Sequence, residues 1–276
     1  MNITFIGGGN MAQAMINGLL AKGQRAEDIQ VVEINAATRR RLDEKFGVVV
    51  FEKIAPEAIE HSQIIVLAVK PQQIFDVARQ LRSWVDGKIV LSIAAGIRLT
   101  DVAKQLGMKC TLVRAMPNLP ALIGNGITGL TYYSFPPKSV LSQEKIRTIE
   151  SITNAVGVSV WVKDENEMNA VTAVSGSGPA YVFLFMEALE QAAAELKLPK
   201  NIAHELVLQT FIGASRLAAQ SADPLAALRE RVTSKGGTTE AALASMARDQ
   251  VREAIVRAVK AACERARQLG AELGKQ

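Results

Sequence analysis

Over its first 160 or so residues this chain alternates short apolar runs with amphipathic stretches, and after Trp161 the short runs stop. No other feature limits the fold as much. The candidate strands are 3–6, 29–32, 48–51, 64–69, 89–92 and 111–114, with helical patterns such as 11–21 and 37–45 between them. Strands that alternate with helices build a parallel sheet covered on both faces. The spacing predicts a Rossmann-like α/β domain, doubly wound and mostly parallel, over 1–162. Segments 132–133 and 157–161 are candidate strands at its far edge. The remainder, 163–276, reads as all-α, with helices at 165–174, 179–196, 201–219, 224–231, 239–247 and 250–269. Pro179 and Pro224 suit first-turn positions, and Asp223 is a natural cap before Pro224. Val182, Phe183, Phe185, Met186 and Leu189 make one helix apolar almost all round. Such a helix must be enclosed, and a second copy of the chain would enclose it best. The helical half is therefore expected to be a dimerisation domain.

Between the first strand and the first helix lies Gly7-Gly8-Gly9-Asn10-Met11-Ala12. In a dinucleotide-binding turn the first glycine makes the tight bend and the second admits the pyrophosphate. Gly7 and Gly9 fill those places, and Ala12 is small enough for close helix–strand packing. Glu33, at the end of the second strand, would hold a ribose 2′-hydroxyl and favour NAD. Asn35, Arg39 and Arg40 follow and would suit a 2′-phosphate. The two signals oppose each other, and the arginines tilt the reading toward NADP. Three further loops close strands: Ala68-Val69-Lys70-Pro71-Gln72, Ser92-Ile93-Ala94-Ala95-Gly96 and Arg114-Ala115-Met116-Pro117-Asn118-Leu119-Pro120. Ligands of open α/β sheets bind outside such strand ends.

A second glycine loop, Thr233-Ser234-Lys235-Gly236-Gly237-Thr238-Thr239, opens into a strong helix former beginning at Glu240. Bare backbone N–H groups at a helix start attract a small anion such as a carboxylate. A helix cap on a flexible turn is the plain alternative. A nicotinamide cofactor implies hydride transfer. Reducing a ketone would also need a proton donor. His61 and His204 fall outside the strand-end loops and read as structural or solvated, which leaves Lys70 and Lys235 as candidates. A basic imine needs no such donor. It takes its proton from water, and a threonine hydroxyl has only to orient it. The loop therefore points to a small carboxylate with a reducible C=N bond.

The net charge of +5 is mild for 276 residues, and the basic residues are scattered. There is no basic stripe with stacking aromatics, which argues against a nucleic-acid partner. Cys110 and Cys263 lie far apart, and with two histidines they lack metal-ligand spacing. No metal site is expected, and reduced thiols suit the cytoplasm. A strand pattern beginning at Asn2 leaves no signal-peptide pattern. Residues 168–186 carry no formal charge, but Ser175-Gly176-Ser177-Gly178-Pro179 interrupts them. Two buried helices are expected there rather than a membrane span.

Taken together, these motifs make the chain resemble the delta-1-pyrroline-5-carboxylate reductases. The resemblance rests on FIGGGNM (5–11), AVKPQ (68–72), SIAAGI (92–97), RAMPNLPA (114–121), SGSGPAY (175–181) and TSKGGTTEAAL (233–243). It implies reduction of pyrroline-5-carboxylate to L-proline with NADPH or NADH, the final step of proline biosynthesis. It also implies a homodimer, with decamers as a larger assembly. By position, Ile6, Gly7, Gly8, Gly9, Asn10 and Met11 would contact the pyrophosphate, and Asn35 the adenosine ribose. Ala68, Val69, Lys70 and Pro71, with Ala94, Ala95 and Gly96, would line the cofactor cleft. Gly236, Gly237 and Thr238 would bind the substrate carboxylate, with Ser234 assisting. Thr239 would be the catalytic hydroxyl that meets the ring nitrogen. Lys235 stands where many relatives have proline, and Val49 where many have a polar residue. The rival readings are a two-domain hydroxyacid dehydrogenase using Lys70 or Lys235, and a dinucleotide-sensing protein without activity.

Overall fold

The computed structural model describes residues 1–107, 109–133 and 140–274. Its strands are β1 (Ile3–Ile6), β2 (Ile29–Val32), β3 (Val49–Phe51), β4 (Ile64–Leu67), β5 (Ile89–Ser92), β6 (Thr111–Pro117), β7 (Gly126–Tyr133) and β8 (Gly157–Trp161). They form one sheet in the order β3-β2-β1-β4-β5-β6-β7-β8. All neighbours are parallel except β6 and β7. The helices of this region are α1 (Asn10–Ala21), α2 (Ala36–Phe46), α3 (Pro56–Ile59), α4 (Ile74–Leu81), α5 (Leu99–Leu106) and α6 (Gln143–Thr153).

β4 shows why the strands read as unbroken apolar runs. Successive side chains point to opposite faces. Ile64 and Val66 enter one core with Phe5, Met15, Leu42 and Ile149, while Ile65 and Leu67 enter another with Ile74, Leu81 and Val102. A strand covered on both faces needs every residue apolar.

β6 continues three residues past its expected end at 114, and β7 starts at Gly126 rather than at 132. The cause is antiparallel pairing, which sets Met116 against Gly129 and Pro117 against Thr128. A hairpin carries its ladder beyond the parallel sheet, and the turn residues Gly124-Asn125-Gly126 were its signal in the sequence.

The chain divides into two compact units, one of Met1–Ser177 with Ala262–Gln276 and the other of Gly178–Ala261. The sheet-bearing unit therefore runs past 162. It includes α7 (Glu165–Val171) and a π-helical turn, Thr172–Gly176, where one α-helix to 174 was expected. Side-chain contacts hold this turn: Asn118 Nδ2 donates to Ser175 Oγ at 3.3 Å, and a Cβ on Gly176 would come within 2.6 Å of Met116 Cε.

The second unit holds α8 (Gly178–Glu195), α9 (Lys200–Gln220), α10 (Leu225–Arg231), α11 (Thr238–Arg248) and the first half of α12 (Val251–Leu273). Pro224 is the N-cap of α10 rather than a first-turn residue. Asp223 does not cap it: its carboxylate accepts from Ser221 Oγ at 3.2 Å and pairs with Arg231 at 2.6 Å. α8 packs on α9. Within the single chain it has no buried residue, so this chain alone does not supply the enclosure that its apolar sequence calls for. Phe183 is 50% and Leu184 64% exposed. No helix among the described residues is long and apolar enough to cross a membrane.

Candidate active site and cofactor cleft

The first glycine loop is built by the sheet around it. Gly7 has φ +102, a left-handed conformation that favours glycine. Its N–H donates to Val32 O at 2.8 Å, and a Cβ there would lie 2.6 Å from Ala68 O. Gly8 would meet Leu42 Cδ1 at 2.6 Å. Gly9 differs: it is the N-cap of α1, and a Cβ on it would meet nothing within 4 Å. Gln13 N makes the first helical bond, to Gly9 O, so the N–H groups of Asn10, Met11 and Ala12 are the open ones. Gly9 has no side chain to cap them.

A cavity of about 770 Å³ opens here, within the usual ~300–1,000 Å³ of small-ligand sites. Ile6, Gly7, Gly8, Gly9, Asn35, Ala68, Val69 and Lys70 line it, as expected for cofactor contacts. Asn10, Met11 and Pro71 border the same loops but are not lining residues. Ala94, Ala95 and Gly96 also lie outside it. Ala94 is buried, and a Cβ on Gly96 would touch Leu269 at 3.4 Å, so that glycine lets the end of α12 approach.

The residues that were to choose the cofactor serve first as scaffold. Glu33 accepts from Gly8 N at 2.9 Å and from Asn35 N at 2.8 Å, tying the glycine loop to the end of β2. Arg39 Nη1 donates to the carbonyls of Glu33 and Ile34 at 2.7 and 2.8 Å. Asn35 Oδ1 caps α2 by accepting from Thr38 N at 2.9 Å. Its amide nitrogen and the exposed Arg40 remain available to an anion. Ile34 lines the cleft and is 75% exposed, and sequence reading passed it over. Its signal was a lone apolar residue between Glu33 and Asn35. Gln73, the N-cap of α4, and Val77 within it also line the cleft, which they reach only through the fold.

The second glycine loop joins α10 to α11. Gly236 has φ +74 and Gly237 is the N-cap of α11. A Cβ on Gly237 would sit 2.7 Å from Ser234 Oγ. The structure narrows the expected row of donors. Gly236 N donates to Glu240 Oε2 at 2.6 Å, and Gly237 N donates to Ser234 O at 3.0 Å. Among the described residues, the N–H groups of Thr238 and Thr239 and the Thr239 hydroxyl have no partner. In the sequence Glu240 marks only the start of a helix former. Thr238 is exposed and Thr239 half-buried, and Lys235 points no charge at a described partner. A separate cavity of about 620 Å³, lined by Phe185, Arg229, Thr233, Met246 and Arg252, contains none of Ser234, Gly236, Gly237, Thr238 or Thr239.

The remaining candidates sort plainly. Lys70 lines the cofactor cleft. His61 is exposed, and His204 is exposed with Nδ1 2.7 Å from Glu190 Oε1. Arg114 does not face a ligand. It is buried and pairs with Glu165, whose other oxygen accepts from Leu99 N at 2.8 Å. That pair caps α5 and holds the turn after β5. No cluster of three His, Cys, Asp or Glu residues that could hold a metal occurs among the described residues.

Residues 165–269 match the family model for pyrroline-5-carboxylate reductase dimerisation, and residues 2–96 that for coenzyme F420-dependent NADP oxidoreductases. The chain is 44% identical to the pyrroline-5-carboxylate reductase of Pasteurella multocida over 274 residues, covering 97% of each. It superposes on the pyrroline-5-carboxylate reductase structure from Coxiella burnetii with a TM-score of 0.90 and 38% identity, covering 97% of this chain and 98% of that one. The Plasmodium falciparum pyrroline carboxylate reductase, solved with NADP bound, matches with a TM-score of 0.84 and 28% identity over 98% of both chains.

Proposed function

The chain belongs to the pyrroline-5-carboxylate reductase family, and from that premise we propose how its residues divide the work of reducing pyrroline-5-carboxylate to L-proline with NAD(P)H. The carrying observation is Gly9. Its Cα faces a cavity with room for a substituent that glycine does not supply, beside three open N–H groups. That cradle suits a pyrophosphate. Gly7, Gly8 and Gly9 with the N–H groups of Asn10 and Met11 hold it, and Ile6, Ala68, Val69 and Lys70 form the walls, with Pro71 behind them in the same loop. Asn35 lines the adenosine end, where Ile34 offers an apolar platform, and the exposed Arg40 of α2 suits a 2′-phosphate, a set that favours NADPH. Ala94, Ala95 and Gly96 shape the turn after β5. When bound, the reduced nicotinamide supplies the hydride.

The 233–239 loop takes the substrate. The N–H groups of Thr238 and Thr239 bind its carboxylate, Ser234 and the Gly236–Gly237 turn shape the cradle, and Thr239 Oγ accepts from the N–H of the protonated ring nitrogen. Each charge-assisted bond contributes ~1.5–3 kcal/mol, enough to anchor a molecule of this size. No histidine is required, because the imine protonates from water. Residues 1–162 thus carry the cofactor, and 163–276 carry substrate binding and dimerisation. The exposed apolar surface of α8 supports the homodimer. Decamers are the larger assembly we propose, and light scattering tests it. The free thiols Cys110 and Cys263 suit a cytoplasmic location.

The test is loss of nicotinamide absorbance on adding the cyclic imine to enzyme with NADPH or NADH. Turnover with NADPH at the lower KM supports this reading. No turnover with either cofactor overturns it.

A further inference from the structure

The outermost strand of the sheet has one dressed face and one bare face. Ser159 and Trp161 turn toward α6: Ser159 Oγ lies 2.6 Å from Thr153 Oγ1, and Trp161 Nε1 donates to Glu150 Oε1 at 2.8 Å. Trp161 also meets Tyr132 edge-on. Alternation along a strand puts Val158 and Val160 on the other face. They are 60% and 42% exposed.

On that other face α7 covers β7 and stops there. A Cβ on Gly129 would come within 2.6 Å of Val171 Cγ1, so Val171 rests on Gly129. Gly129 is the register partner of Val160, and partners in neighbouring strands share a face. Val158 and Val160 therefore stand beside α7. Val174, 64% exposed, lies one turn beyond Val171 in the π-helical segment. Exposed edge strands are normally blunted by charge, proline or a bulge. Gly157-Val158-Ser159-Val160-Trp161 carries neither charge nor proline.

We propose that the Val158–Val160 face of β8, with Val174, forms part of the homodimer interface and is covered by the apolar helical surface of a second copy. The occupant follows from continuity. The segment matched by the dimerisation model begins at residue 165, so α7 and Val174 lie inside it and the two valines adjoin it. The helical unit carries the complementary surface, with Phe183, Leu184 and Leu206 all exposed. The interface thus extends out of the dimerisation segment onto the last strand of the cofactor-binding sheet. The proposal rests on the dimer reading above.

Sedimentation equilibrium on the wild type, Val158→Glu/Val160→Glu and Val158→Thr/Val160→Thr tests it, with NADPH binding and circular dichroism reporting on the fold. The glutamate pair should raise the dimer Kd by ~100-fold or more, the threonine pair by less, and both should keep cofactor affinity, because β8 lies four strands from β4. Hydroxyl-radical footprinting of the wild type across a dilution series decides the matter if the glutamate pair does not fold. Labelling of Val158 and Val160 should fall as dimers form. A glutamate pair that dimerises like the wild type, or labelling independent of concentration, overturns this proposal alone. A wild type that stays monomeric throughout overturns the dimer reading itself.

Discussion

Gly9→Ala separates what a ligand needs from what the fold needs. The new methyl would meet no atom of the chain within 4 Å, and the N-cap backbone at φ −69, ψ 180 is one that any residue adopts. Alanine lowers the entropy of the unfolded chain, stabilising by about 0.4–1 kcal/mol. It is a poorer N-cap than glycine, which costs about as much. The two effects nearly cancel, so Tm should move by no more than about 4 °C. Binding should respond differently. A methyl at Gly9 stands between the open N–H groups of Asn10 and Met11 and any pyrophosphate they hold. Losing one charge-assisted hydrogen bond, at ~1.5–3 kcal/mol, weakens binding by about 10- to 150-fold. The assay pairs a fluorescence titration with NADPH and a thermal melt of the same preparation. Gly7→Ala is the contrast. At φ +102, with Ala68 O 2.6 Å from the new Cβ, it should lose at least ~1–3 kcal/mol of stability. Wild-type NADPH affinity in Gly9→Ala would refute the reasoning, as would a loss of stability like that of Gly7→Ala.

Thr239→Ala should lower kcat by about 10- to 100-fold, the equivalent of one hydrogen bond to a charged nitrogen, with the KM for NADPH within twofold. Thr239→Ser should restore most of it, and a collapse of cofactor affinity would place Thr239 elsewhere. Glu240→Gln removes a carboxylate that accepts from Gly236 N. A charge at a helix N-terminus interacts by ~0.3–1 kcal/mol, so the KM for the imine should fall about 2- to 5-fold, and a rise would mean that Glu240 builds the loop rather than competing for it. Burial pushes the Cys110 thiol from 9.0 up to about 12. Because the folded value is the higher, its contribution is intact below pH 9 and lost as pH climbs from 9 toward 12. Urea midpoints of the wild type should therefore decline more steeply over that window than those of Cys110→Ala.

Much of the fold is legible because its rules are local. β1, β2 and β5 begin and end where the apolar runs do, since a strand covered on both faces has no other way to be written. The hairpin of β6 and β7 was hidden because its pairing is long-range, and Arg114-Ala115-Met116-Pro117 reads locally as a loop. The glycine loops were legible as loops, and only the structure separates their glycines. Gly7 is pressed against Ala68, Gly9 has open space before it, and Gly96 admits the end of α12. Glu33 and Arg39 looked like rivals for a ribose, yet each hydrogen-bonds the local backbone first, which no spacing rule reveals. The bare surface of α8 follows from its all-round apolar sequence, and it becomes intelligible only with a second copy.

The central claim is that this chain delivers hydride to the carbon of a ring C=N bond while the 233–239 loop holds the carboxylate. Turnover with NADPH carrying deuterium at the transferable position tests it most directly, with the product analysed by mass spectrometry and NMR. One deuterium on the ring carbon that was double-bonded to nitrogen, with one proline formed per cofactor oxidised, is the predicted result. Cofactor oxidation without labelled proline, or label at another carbon, would contradict it.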